Sequence, residues 1–406
     1  MQTTNPTDLL ERLYDPVNRA DPYPVLHRLR ERSPFPFAGG LGVVVGSHAE
    51  CSRLLHDPRM SADRITHGAD VISRRPVVPS FLSMDPPDHT RLRRLVVKAF
   101  SRQALSGLEP RIRQIAAELA AELGPESRFD VVSQFAYPLP VRVISELLAI
   151  PASDRQQIQH WSDLLTQVAL DPPPVRHHPD PGMKSAIQAT LGEFTRYFED
   201  LIRQRRRTPG TDLLSRLVLA GEQGNQLSEE ELVSTCILLL TAGYETTAIL
   251  IANAVLALLR HPEQLDAVRK SPGKAAAAVE ETLRYDPPVQ LTNRFAREPM
   301  RVGEVELPAG GELSFLLAAA NRDPAVFPEP DRFDIDRGAD NHLAFSAGPH
   351  FCLGAGLARL EGTIALQTLA PRLSDAQLEE DVLDYKPNIT LRGPARLEVS
   401  LAPSAA

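Results

Sequence analysis

Apolar residues recur at three- and four-residue spacing over residues 109–123, 186–205, 229–260, 262–270, 275–285 and 353–369, a pattern that predicts amphipathic helices. Strand-like stretches are short. They are LGVVVG near Leu41, RVGEVELPAG near Arg301, and residues 389–401, which read as a hairpin turning around Gly393 and Pro394. No repeat and no Gly/Ser linker divides the chain. The pattern therefore predicts one mainly α domain over residues 1–406 with a small β portion, loosely ordered at 1–20 and 402–406. Two irregular connections stand out, residues 62–81 and 169–183, the second with five prolines. Connections of that length are either lids and binding loops or plain exposed connectors.

The most apolar segment, residues 237–259, is long enough to span a bilayer. Glu245 stands near its middle beside Gly243, Thr246 and Thr247, and a lone carboxylate at the centre of a membrane helix is costly. No other segment supplies a second span. The expectation is the central helix of a large domain, with no membrane partner.

Composition narrows the function classes. Of 406 residues, 43% are hydrophobic and 24% charged, which suits a globular protein with a sizeable core. A net charge of −8 argues against nucleic acid as a partner. The three cysteines, Cys51, Cys236 and Cys352, are far apart and form no CxxC pair. That spacing speaks against a thiolate zinc site and a disulfide framework, and suits a reducing cytoplasm. The N-terminus has neither a basic nor an apolar leader region, so a cytoplasmic location is expected.

Cys352 lies in FSAGPHFCLGAG, residues 345–356, where a loop meets a helical pattern carried by Leu353, Leu357, Leu360 and Ile364. Unpaired amides and the partial positive charge of a helix N-terminus stabilise a thiolate, and Gly354 leaves room for a bulky group. Sulfur as an anionic ligand, sulfur as a nucleophile with His350 as base, and a structural core cysteine all remain open on this segment alone.

The segment resembles the haem-binding loop of the cytochrome P450 family, matching its pattern at Phe345, Gly348, His350, Cys352 and Gly354 and departing at Ser346, where glycine is usual. The resemblance implies that Cys352 is the axial thiolate ligand of the iron of haem b, which favours O–O cleavage. It extends to three further motifs. VEETLRYDPP carries Glu281 and Arg284, like the family's buried Glu-x-x-Arg pair, and PDRF supplies Arg332 in the place of its usual third partner. TAGYETT, with Ala242, Gly243, Glu245 and Thr246, resembles the motif that lines the haem pocket; an acid beside a hydroxyl suits proton delivery to dioxygen. In MDPPDHTRLRRLVVKAF, Asp85 is the expected helix cap, and His89 and Arg93, four apart, match residues that neutralise the haem carboxylates. Arg294 and His350 match the remaining propionate-contacting positions.

The resemblance covers nearly the whole chain and implies a triangular, mostly helical domain with a small β lobe, acting as a monomer. The implied reaction inserts one oxygen atom from O2 into a small organic substrate, a hydroxylation or related oxidation in secondary metabolism. No GxGxxG fingerprint follows a strand, so the electrons are expected from a ferredoxin and its reductase. A peroxide-driven peroxygenase and a non-catalytic haem carrier or sensor are the alternatives. Between His89 and Leu108 the chain is basic without an acidic residue, and Arg91, Arg94 and Lys98 recur at helical spacing, an expected docking stripe for an acidic ferredoxin.

Overall fold

Helices α1 (Pro6–Arg12), α2 (Tyr23–Arg32), α3 (His48–Leu55), α4 (Asp88–Val97), α5 (Arg102–Glu122), α6 (Pro138–Leu147), α7 (Arg155–Ala169), α8 (Pro181–Arg207), α9 (Leu213–Glu222), α10 (Glu229–Gly243), α11 (Glu245–Arg260), α12 (Pro262–Lys270), α13 (Ala275–Tyr285), α14 (Leu317–Ala320) and α15 (Ala355–Leu369) make up most of the molecule. The computed structural model describes residues 6–63, 66, 80–124, 128–169, 181–222, 227–374, 376–380 and 383–401. Both long connections, at 62–81 and 169–183, fall largely outside the described residues.

Caps decide several helix starts. The Ser228 hydroxyl accepts from the Glu231 amide at 3.1 Å, and the Glu231 carboxylate accepts from the Ser228 amide at 2.9 Å, a reciprocal capping box that starts α10. Ser101 caps α5 by accepting from Ala104. That helix therefore begins at Arg102, ahead of the apolar pattern at 109, because its first turns are largely exposed and carry little hydrophobic signal. Asp85, by contrast, does not cap α4. Its carboxylate accepts from the Ala62 amide at 3.0 Å and pairs with Arg297 at 2.8 Å, while its backbone carbonyl takes the His89 amide.

The central helix is not continuous as its apolar pattern predicts. It opens at Tyr244, between α10 and α11. Threonine hydroxyls account for the break. Thr246 donates to the Ala242 carbonyl and Thr247 to the Gly243 carbonyl, each at 2.9 Å, so side chains compete for acceptors of the helical ladder. By length and composition this pair is the one candidate membrane span among the described residues, and 78% of its most apolar stretch is buried by its neighbours. α11 packs on α6, α13 and α15, and α10 packs on α7 and α8, which places the break at the heart of the helical core.

The β portion flanks that core. Strands β1 (Phe35–Phe37), β2 (Gly42–Val45), β3 (Met60–Ser61), β4 (Arg128–Asp130), β5 (Thr292–Ala296), β6 (Met300–Val302), β7 (Val305–Leu307), β8 (Glu312–Phe315), β9 (Ala376–Leu378) and β10 (Glu398–Leu401) form three sheets among the described residues. The largest has the order β1-β2-β8-β5-β3, with β2 parallel to β8. The late hairpin is absent. Only β10 is a strand, and it pairs with the distant β4 and β9. Residues near Gly393 instead press on α11, where a Cβ at Gly393 would come within 2.7 Å of Ile249. Near the N-terminus, α1 buries Leu9 completely.

Candidate active site

The cysteine loop is closed by its backbone. A turn from Leu343 to Ser346 puts Ser346 at φ 60°, and Gly348 follows at φ 69°. A Cβ at Gly348 would lie 2.2 Å from the Leu55 carbonyl oxygen, so glycine is required there. The Cys352 amide then donates to the Phe345 carbonyl at 2.9 Å, and α15 begins at Ala355 rather than at Leu353. At Gly354 a Cβ would meet nothing within 4 Å, which leaves open space beside the thiol.

Cys352 differs from its counterparts. Cys51 and Cys236 are fully buried, and burial pushes the Cys236 thiol up to about 12. Cys352 is exposed. Surrounding protein raises its thiol above the usual value, although the Gly354 and Ala355 amides and the Arg93 and Arg359 guanidiniums pull it down. The helix start alone therefore does not make the thiolate; a coordinated metal ion would displace the proton.

Around this loop the charges do not balance. The rings of His89 and His350 lie 4.2 Å apart, and both ring nitrogens of His89 are buried without a partner among the described residues. Arg294 is buried with only Thr292 Oγ1 and the Asn293 carbonyl as acceptors, and desolvation lowers it to about 10. Arg93 donates to the Phe351 carbonyl. His350 is driven down to about 3 by burial and by Arg294, His89 and Arg93. The nearby carboxylate, Asp85, is engaged by Ser61, Ala62 and Arg297. A dianion would supply the acceptors this cluster lacks, and the two propionates of a haem held through Cys352 fit that donor set.

On the central helix, Leu238, Ala242 and Thr246 stand four apart, and all three are at least partly accessible, as are Thr241 and Gly243 between them. Glu245 and Thr246 are not hydrogen-bonded to each other. The Glu245 carboxylate turns away, accepting from Lys386 Nζ at 2.9 Å and from the Tyr137 hydroxyl at 3.3 Å through the same oxygen. Its second oxygen is buried and unpartnered. Tyr244 donates to Asp163 beside this pair, and burial together with the Glu245 charge raises the Asp163 carboxyl.

Glu281 and Arg284 form a fully buried bidentate pair at 2.7 and 2.8 Å. The third cation is not Arg332, whose exposed guanidinium pairs with Glu329 and Asp334. Arg332 contributes its carbonyl instead, and Arg337 reaches Glu281 at 3.3 Å while donating to the carbonyls of Pro328, Glu329 and Arg332. The stripe on α4 is also reduced. Arg91 is neutralised by Glu231, the capping residue of α10, leaving Arg94 and Lys98 exposed.

Lys386, Tyr137, Asp163 and Arg337 escape sequence reasoning because their partners are distant in the chain. Glu361 had a signal. It falls four residues after Leu357 on the apolar stripe of α15, and it is buried with one oxygen unpartnered.

The family model of cytochrome P450 matches residues 43–271 and 275–385. The chain is 42% identical over 347 residues to the cytochrome P450 CYP107DY1 of Priestia megaterium, covering 85% of this chain and 82% of that protein. It is 36% identical over 405 residues to the polyketide biosynthesis cytochrome P450 PksS of Bacillus subtilis, covering 94% and 96%. The crystal structure of Mycobacterium smegmatis CYP164A2 in the ligand-free state superposes with a TM-score of 0.91 at 44% identity, covering 97% of this chain and all of that one. Matches of this extent, which include the cation-lined thiol loop, show that the chain belongs to the cytochrome P450 family of monooxygenases.

Proposed function

We propose that this protein holds haem b through the Cys352 thiolate and oxidises a small organic substrate of secondary metabolism with O2, probing a single C–H or C=C position per turnover. The uncompensated cluster of His89, Arg93, Arg294 and His350 beside an accessible thiol carries this reading, since it asks for a dianion. Phe345, Gly348 and Gly354 shape the loop, Ala242 keeps side-chain bulk off the exposed face of the central helix, and Gly243 faces Ile144 of α6, 3.6 Å from where its Cβ would stand. The bound haem would supply oxygen activation, with thiolate ligation favouring O–O cleavage. Thr246, on the cleft face, would hold a proton donor near the reacting oxygen, and Glu245 would resupply it from behind the helix. The polyketide relative supports a secondary-metabolite substrate for this chain.

Electrons would come from an acidic ferredoxin served by its reductase, docking on Arg94 and Lys98 with the exposed side chains of Val97 and Phe351 beside them. We read the enzyme as a cytoplasmic monomer that binds neither nucleic acid nor membrane. The deciding experiment is the ferrous–CO spectrum. Cys352→Ser is expected to lose the red-shifted Soret band while retaining a folded chain by circular dichroism. Retention of both that band and turnover would remove Cys352 from the iron.

A further inference from the structure

Two consecutive carboxylates on α13 have different partners. Glu281 holds Arg284 and Arg337, whereas Glu280 takes a two-pronged contact from Arg359 of α15, Nε to Oε1 at 2.6 Å and Nη2 to Oε2 at 2.9 Å. Its Oε2 also accepts from His342 Nε2 at 3.1 Å. His342 Nδ1 accepts from the Ala344 amide at 3.2 Å, which fixes the ring hydrogen on Nε2. Burial alone would raise the Glu280 carboxyl, but His342 and Arg359 hold it down at about 2. Glu280 thus ties the chain ahead of the cysteine loop to the helix that follows it. These contacts converge on Phe345. The Arg359 guanidinium lies 4.6 Å from the centre of the Phe345 ring, the His342 ring 5.7 Å from it and the Phe351 ring 6.2 Å. The Phe345 carbonyl in turn accepts the Cys352 amide.

We propose that Glu280, acting through Arg359, sets the reduction potential of the iron held by Cys352. The carboxylate pins the guanidinium against Phe345 and offsets the charge that it presents to the sulfur. Glu280 is therefore a positioning residue, and the inference rests on Cys352 carrying the haem. Arg93 and Arg359 are the two cations that act on the Cys352 sulfur. Arg93 belongs to the cluster assigned to the haem carboxylates. Arg359 does not, and its charge is matched by Glu280 instead. Charge beside the ligating sulfur is one of the levers by which a protein tunes such an iron. An unmatched cation there favours the added electron of the ferrous state, and an unmatched anion opposes it. Stability gives little reason for this pair, because its side chains are 36% and 20% exposed and ion pairs in such settings contribute little.

The test uses the haem-loaded enzyme without turnover, its potential read by spectroelectrochemical titration. Glu280→Gln keeps the shape and leaves Arg359 unmatched. It should shift the ferric–ferrous equilibrium about three- to tenfold toward the ferrous form, a rise of about 30–60 mV for one electron. Arg359→Met should shift it by a similar factor the other way. The double variant Glu280→Gln/Arg359→Met should return to within about twofold of the parent. Arg359→Lys keeps the charge without the fork, and should hold the parent potential while its thermal midpoint falls. The two single variants test the sign independently, so one that fails to load haem leaves the other to decide. A pair that only braces the loop would move both single variants in the same direction and the double variant at least as far. That result, or single variants at the parent potential, overturns the inference, while a red-shifted ferrous–CO band in the same samples keeps the haem–thiolate reading. A parent enzyme without that band overturns the reading and the inference together.

Discussion

Glu361 sits on α15, the helix that follows the cysteine loop, with 2% of its surface exposed and no counter-charge acting on it. Burial alone lifts its carboxyl from 4.5 to about 8. The folded pKa is thus above the unfolded one. Below pH 4.5 both states hold the proton and the group has no effect on stability. Between pH 4.5 and about 8 the unfolded chain ionises while the folded chain does not, so stability falls by about 1.4 kcal/mol per pH unit. By pH 7 the loss is about 3.4 kcal/mol, and above pH 8 it levels off near 5 kcal/mol. Glu361→Gln removes the titration and keeps the shape. Urea midpoints of the parent and the variant, measured from pH 5 to pH 9, should diverge in favour of the variant with that slope and then run parallel. Glu361→Met, also untitratable, should behave likewise. Parallel curves across the whole range would mean that Glu361 is paired or hydrated, and the argument from burial would fail.

Two further outcomes follow from corrections the fold makes to the sequence reading. Arg337→Ala leaves the buried Glu281 with one cation fewer and should destabilise the protein by about 3 kcal/mol, whereas Arg332→Ala, at an exposed pair, should shift it by less than about 1 kcal/mol; thermal melts of both variants decide. On α4, charge reversal at Arg94 and Lys98 should slow reduction by an acidic ferredoxin in stopped-flow traces and flatten its ionic-strength dependence. Arg91→Glu should instead act mainly on stability, through its pair with Glu231.

What the sequence made legible was local. The helices at 262–270 and 275–285 appear as expected, because Pro262 starts one and an unbroken apolar stripe defines the other. Cys352, Gly348, Glu281 and Arg284 were readable because short motifs place them. Arg337 was not, since the choice between Arg332 and Arg337 depends on how the loop after Asp334 folds back on α13. Nor was the late pairing of β10 with β4, whose partners are some 270 residues apart.

The loop departure at Ser346 shows how a single residue can be read both ways. The sequence reveals only that glycine is replaced. The structure gives the consequence: Ser346 keeps φ 60°, a left-handed value that glycine adopts freely, and its hydroxyl is buried without a partner. Relief of backbone strain is worth about 1–2 kcal/mol and removal of an unsatisfied hydroxyl about 1–3 kcal/mol. Against these, glycine restores about 0.4–1 kcal/mol of unfolded-chain freedom. Ser346→Gly should therefore stabilise the protein by about 1–5 kcal/mol in urea melts and leave the ferrous–CO band in place. Gly348→Ala, with its Cβ 2.2 Å from the Leu55 carbonyl oxygen, should do the reverse and weaken haem retention. A Ser346→Gly variant less stable than its parent would show that the hydroxyl has a partner in the haem-loaded enzyme, and that the departure from glycine holds the loop rather than straining it.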